Sequence, residues 1–156
     1  MGDFRLKWRF TDPKYDLLPQ EHLDQLQPLD KEASKFLFDY ISNAHLHDDI
    51  PFRKDFFRTI DKMRIQTGNE SEVKKWLYHR GLPFDKKVFL LWNEEAMMLP
   101  WKLLIKYFDS FYYSGSDDLS VFDQGLSWAL MFFHEDEVYF GTNKDFIPEP
   151  SDDDFR

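Results

Sequence analysis

At 156 residues the chain is sized for one domain, since domains commonly run to about 100–150 residues. It has no cysteine, which excludes disulfides, thiolate zinc sites and a cysteine nucleophile. The net charge of −9 is confined to one half: residues 1–84 carry 14 acidic and 14 basic side chains, residues 85–156 carry 15 and 6. A negative field over the second half repels phosphate backbones and attracts basic surfaces, so the expected partner is a basic protein and not nucleic acid.

Phe4, Leu6, Trp8 and Phe10 alternate with Arg5, Lys7 and Arg9. This period of two predicts a half-buried strand over residues 3–11 with a basic outer face. The opening MGDFRLKWRF lacks an apolar core and is not expected to be a signal peptide. No apolar run approaches the ~20 residues of a membrane span. With no cysteine to oxidise, the expected location is the cytoplasm.

Asp12-Pro13 breaks the strand, and the segment bracketed by Pro19 and Pro28 reads as loop with one helical turn. Asp30 is placed to cap a helix over residues 31–44, in which Ala33, Phe36, Leu37, Tyr40, Ile41 and Ala44 recur at helical spacing. A second helix is predicted after Ile50-Pro51, with Phe52, Phe56, Ile60 and Met63 as its buried stripe. A third starts at Asn69, with Glu72 completing a capping box, turns Val73, Trp76 and Leu77 inward and ends at Gly81 and Pro83.

The pattern then changes. Residues 87–92 (KVFLLW) form a continuous apolar run, expected for a strand buried on both faces. Asn93-Glu94-Glu95 reads as a turn, after which Ala96-Met97-Met98 pairs back. Leu99-Pro100 opens a helix with Trp101, Leu104, Ile105 and Phe108 on one face. Phe111-Tyr112-Tyr113 and Leu119–Phe122 read as strands, with a loop at 114–118 and a turn at 123–125.

Residues 126–133 and 138–142 form a final hairpin. A two-residue turn at Glu135-Asp136 would pair His134 with Glu137, Phe133 with Val138, Phe132 with Tyr139 and Met131 with Phe140. The chain is thus expected to be one α+β domain over residues 1–144. Its sheet is mostly antiparallel, built from the second half and the first strand, with the helices of the first half packed on it. The acidic tail 145–156, with two prolines, is expected to be mobile.

Two clusters bear on chemistry. His134, Glu135, Asp136 and Glu137 are consecutive, and His45-Leu46-His47-Asp48-Asp49 lies between two predicted helices. A metal-dependent hydrolase would draw its ligands from His45, His47, Asp48 and His134, with Glu135 or Glu137 as base. His45-Leu46-His47-Asp48-Asp49 is superficially near the HxHxD core of metallo-hydrolases, but an aspartate, Asp48, follows His47 immediately and the strand upstream of that core is missing. The plainer reading makes Asp48 or Asp49 a helix cap and leaves 134–137 at the wet tip of a hairpin. No phosphate-cradling glycine loop and no G-x-S-x-G elbow occurs, and no cofactor is expected. Asp117 and Asp118 suit either ordinary loop chemistry or one wall of a magnesium site.

If some of Tyr112, Tyr113 and Tyr139 lie outward beside Asp109, Asp117 and Asp118, the patch suits a protein interface, where tyrosine anchors are common. The expected contacts are Asp109, Tyr112, Asp117, Asp118, Glu135 and Asp136. The leading expectation is therefore a non-enzymatic acidic protein-binding module, and the metal hydrolase is its rival.

The stretch VFLLWNEEAMMLPWKLLIKYFDSFYYSGSDDLSVFD, followed by LSWALMFFHEDEVYFG, resembles a group of small bacterial cytosolic proteins, some associated with polymorphic-toxin immunity loci. Trp101, Phe111-Tyr112, Ser116-Asp117-Asp118, Trp128, His134-Glu135 and Phe140-Gly141 carry the resemblance. The KWRFT near the N-terminus is similar to the opening of a bacterial family of like length. Together these cover roughly the last 60 residues and the first strand; the helical middle is unmatched. The resemblance implies an immunity-type inhibitor of a basic toxin and implies no catalytic activity.

Overall fold

The computed structural model describes residues 4–15 and 17–143. The tail expected at 145–156 and the start of the strand expected at Asp3 lie outside the described residues. In chain order the elements are α1 (Trp8–Thr11), α2 (Gln20–Leu23), β1 (Gln27–Pro28), α3 (Lys31–Ala44), β2 (Thr59–Arg64), α4 (Glu70–Tyr78), β3 (Lys87–Trp92), β4 (Glu95–Pro100), α5 (Trp101–Phe111), β5 (Leu119–Phe122), β6 (Trp128–Phe133) and β7 (Glu137–Thr142).

Among the described residues the strands make one sheet of seven, in the order β1-β4-β3-β5-β6-β7-β2, and every neighbouring pair is antiparallel. This is the α+β architecture that the change of pattern near residue 85 predicts. Successive side chains on a strand point to opposite faces. Val88, Leu90, Leu119, Val121, Leu130, Phe132 and Val138 pack with Val73 and Leu77 of α4 and with Trp101, Leu104 and Phe108 of α5. Leu91, Ala96, Phe122, Ala129 and Met131 pack with Leu37 and Ile41 of α3 and with Leu46, Phe52 and Phe57 from the segment that follows it. Both faces are covered, which is why the central strands read as unbroken apolar runs.

Helix α3 begins where expected, with Asp30 Oδ1 accepting the Ala33 N–H at 2.8 Å. Its buried stripe is narrower than the spacing suggests: Ser34, Leu37 and Ile41 face the sheet, while Phe36 is 69% and Phe38 43% exposed. Helix α4 also starts at the expected place, but the capping box does not form. Asn69 Oδ1 instead accepts the Gln66 N–H, and its Nδ2 donates to the Arg64 carbonyl.

Three further element assignments are corrected. The N-terminal segment is no strand. Residues 8–11 make one helical turn, and the charged alternation fails at Arg9, which is 4% exposed and paired with Asp117. Residues 52–64 are no helix. Phe52 and Phe57 enter the core from a loop, and Thr59–Arg64 instead complete a full ladder with β7, from Thr59 opposite Thr142 to Arg64 opposite Glu137. Phe111 ends α5, so the strand expected at 111–113 does not form.

The last hairpin has a three-residue loop, His134-Glu135-Asp136. Asp136 takes a left-handed conformation (φ 63°), and its N–H donates to the Phe133 carbonyl at 2.9 Å. Every pair shifts by one: Phe133 faces Glu137, Phe132 faces Val138, Met131 faces Tyr139 and Leu130 faces Phe140. Beneath the turn, the Tyr112 hydroxyl lies 2.6 Å from the Phe133 carbonyl and 2.9 Å from Asp136 Oδ1. These acceptors tie the loop to the end of α5.

Candidate functional site

The antiparallel order brings particular turns together. The β3–β4 turn, the start of β5, the β6–β7 turn and the last residue of β2 all lie at one end of the sheet. That end gathers Glu94, Glu95, Asp118, Glu135, Asp136 and Glu137. Arg5 reaches over from the N-terminal segment, 3.2 Å from Glu94 and 2.7 Å from Glu95, and Lys62 lies 3.4 Å from Glu137. The opposite end carries Arg58, Lys86, Lys87 and Lys102, of which Lys86 meets Asp123 at 3.0 Å and Lys102 meets Asp85 at 2.9 Å. Arg64, the last residue of β2, also stands there opposite Glu137, so the six carboxylates share their end with Arg5, Lys62 and Arg64, while lysines predominate at the other.

On the α3 side of the carboxylate-rich end is a cleft of about 290 Å³. Leu91, Ser120 and Met131 are successive ladder partners on β3, β5 and β6 and form its floor. Phe38 and Ile41 of α3 line it as well, and His47, Asp48, Asn93 and Asp118 supply most of the polar lining.

His47 is held from two sides. Its Nδ1 is 2.7 Å from the Pro51 carbonyl oxygen, which can only accept, so Nδ1 carries the proton. Its Nε2 then accepts from the Ser120 hydroxyl at 2.8 Å, and the ring stacks on Phe52 with centroids 5.7 Å apart. Burial pushes the His47 pKa below its ordinary value, against the opposing pull of the Pro51 carbonyl and Asp118. The folded protein therefore resists protonating it. The stability contributed is present above the ordinary histidine range and is lost as pH falls below it. Thermal unfolding measured from pH 7.5 down to 5 should show a falling midpoint, and His47→Gln should flatten that fall. An equal slope in the variant would refute the assignment.

The expected metal ligands do not converge. His45 Nδ1 pairs with Asp48 Oδ2 at 2.9 Å, His47 is engaged as described, and His134 Nδ1 lies 2.9 Å from Asp118 Oδ1, which also accepts the His134 N–H. Among the described residues no three His, Asp or Glu side chains are grouped to hold a metal ion. Glu137 faces Phe133 across the ladder and not His134.

The six expected contacts separate into three places. Asp118, Glu135 and Asp136 meet at the carboxylate-rich end. Tyr112, 4% exposed, and Asp117, 8% exposed, lie in the interior instead of on an outward patch. Asp109 is exposed but lines a different cleft, of about 490 Å³, with Lys74, Lys106, Tyr107 and Tyr113 among its neighbours. Sequence reasoning missed Glu94 and the His47–Ser120 pair. A signal existed for the pair: Ser120 is the one polar residue in a four-residue strand buried throughout, and a buried hydroxyl calls for a partner.

No family model, curated protein or solved structure matches this chain. Among the described residues no helix is long and apolar enough to cross a membrane.

Proposed function

We propose that the chain is a non-enzymatic protein-binding module that takes a basic partner on the carboxylate-rich end of its sheet. The observation that carries this reading is the convergence of Glu94, Asp118, Glu135 and Asp136 there, while lysines occupy the other end. Such a gradient steers a cationic surface toward one pole and raises the rate of encounter more than it slows dissociation. The finer form of the proposal is an immunity-type inhibitor. An acidic surface seated on a basic nuclease toxin would block the path its nucleic acid must take.

The test is binding to the products of genes adjacent to its own, with association and dissociation followed separately at rising salt. Exchanging Glu94→Gln, Asp118→Asn and Glu135→Gln together should slow association ~10-fold at low salt and leave dissociation far less changed. Association that ignores both salt and the three exchanges would reject the proposal.

A further inference from the structure

Resting on that reading, we infer that the cleft floored by Leu91, Ser120 and Met131 receives one arginine side chain of the basic partner. Size comes first. At about 290 Å³ the cleft is at the lower limit of small-molecule pockets, which suits a single side chain. Among the described residues no lysine or arginine lines it, while Asp48 and Asp118 both do.

The hydrogen bonds leave those carboxylates receptive. His134 engages Asp118 through Oδ1, and His45 engages Asp48 through Oδ2. Among the described residues each carboxylate keeps a second oxygen to accept from an incoming donor. His47 spends both ring nitrogens on Pro51 and Ser120 and stays neutral, so it neither repels a cation nor competes for the acids.

The apolar parts match the rest of such a side chain. Ile41, Leu91 and Met131 can cover its methylenes. Phe38, 43% exposed and lining the cleft, supplies an aromatic ring suited to a planar guanidinium. Arginine is favoured over lysine because its guanidinium is planar and more weakly hydrated, and its donors form a fork. An acidic side chain would be repelled. An apolar one would strip water from two carboxylates with nothing in return.

The experiment is an amide-resolved NMR titration of the full chain with three probes: N-acetyl-arginine methylamide, its uncharged citrulline counterpart, and tetralysine. The arginine probe should shift the amides of Ile41, Leu91, Ser120 and Met131 saturably, and the citrulline probe should not. Ser42 lines the cleft from an exposed position on α3, so Ser42→Trp should fill the space without disturbing the core. It should weaken the arginine probe ~10-fold and leave tetralysine unaffected, and Asp48→Asn should weaken the arginine probe ~3-fold. Unchanged arginine binding in Ser42→Trp, equal citrulline binding, or shifts confined to Glu94 and Glu135 would each overturn the inference. In those cases tetralysine shifts at Glu94 and Glu135 would still support the wider binding proposal. Silence from all three probes would remove both.

Discussion

Replacing Arg9 by methionine is expected to cost about 3–5 kcal/mol of stability, because it strands a buried carboxylate. Arg9 Nη1 and Nη2 meet Asp117 Oδ2 and Oδ1 at 2.7 and 2.9 Å, a two-pronged contact, and Nη1 also donates to the Phe111 carbonyl at 3.1 Å. Asp117 Oδ2 further accepts the Tyr113 N–H at 2.8 Å. The guanidinium sits 4.0 Å from the centre of the Tyr113 ring and 5.2 Å from that of Trp8. One side chain therefore holds the N-terminal turn, the end of α5 and the loop before β5 together. Chemical denaturation gives the number. Asp117→Leu alone should also destabilise, since it leaves the cation unpaired. The pair Arg9→Met with Asp117→Leu should recover a large part of the loss, since neither charge then remains buried. A single-variant cost below ~1 kcal/mol would place the pair in water.

Gly141→Ala is expected to cost about 3 kcal/mol, at the upper end for overpacking. A Cβ on Gly141 would come within 2.2 Å of Phe57 Cδ2 and 2.8 Å of Cγ and Cε2. Phe57 cannot easily retreat: it is 6% exposed, with Phe52 against it at 5.0 Å and Phe56 at 4.8 Å between ring centres. Glycine here serves close approach and not a special backbone angle. Phe57→Leu in the alanine background should therefore relieve part of the strain, which a double-mutant cycle would read as favourable coupling. Costs that simply add would show that the contact is wrong.

What the sequence discloses follows the range of the forces involved. Helix α3 was legible from Asp30 and its 3.6-residue spacing, and the run from Lys87 to Phe108 from apolar blocks set off by Asn93-Glu94 and Pro100. In these segments local preference and burial agree. Residues 52–64 present a helical pattern, yet tertiary contacts override it: the aromatics dock as a loop, and the backbone of β2 finds its partners on β7. The alternation places Arg9 outward because its partner lies 108 positions away. The hairpin register turned on whether Asp136 adopts a left-handed angle, which residue type permits but does not require. Of the candidate site, Asp118, Glu135 and Asp136 were legible as acids near turns. The cleft was not, since it depends on Leu91, Ser120 and Met131 lining up across three strands.

The first-half strands β1 and β2 occupy the two outer edges of the sheet, against β4 and β7. A ribosome making this chain releases both edges long before it makes the middle. Until residues 87–142 emerge, β2 has no ladder and Phe52 and Phe57 have no floor, so the nascent first half must wait unpaired. The two edges can join the sheet only once its late-made centre exists, so their pairing spans long sequence separations.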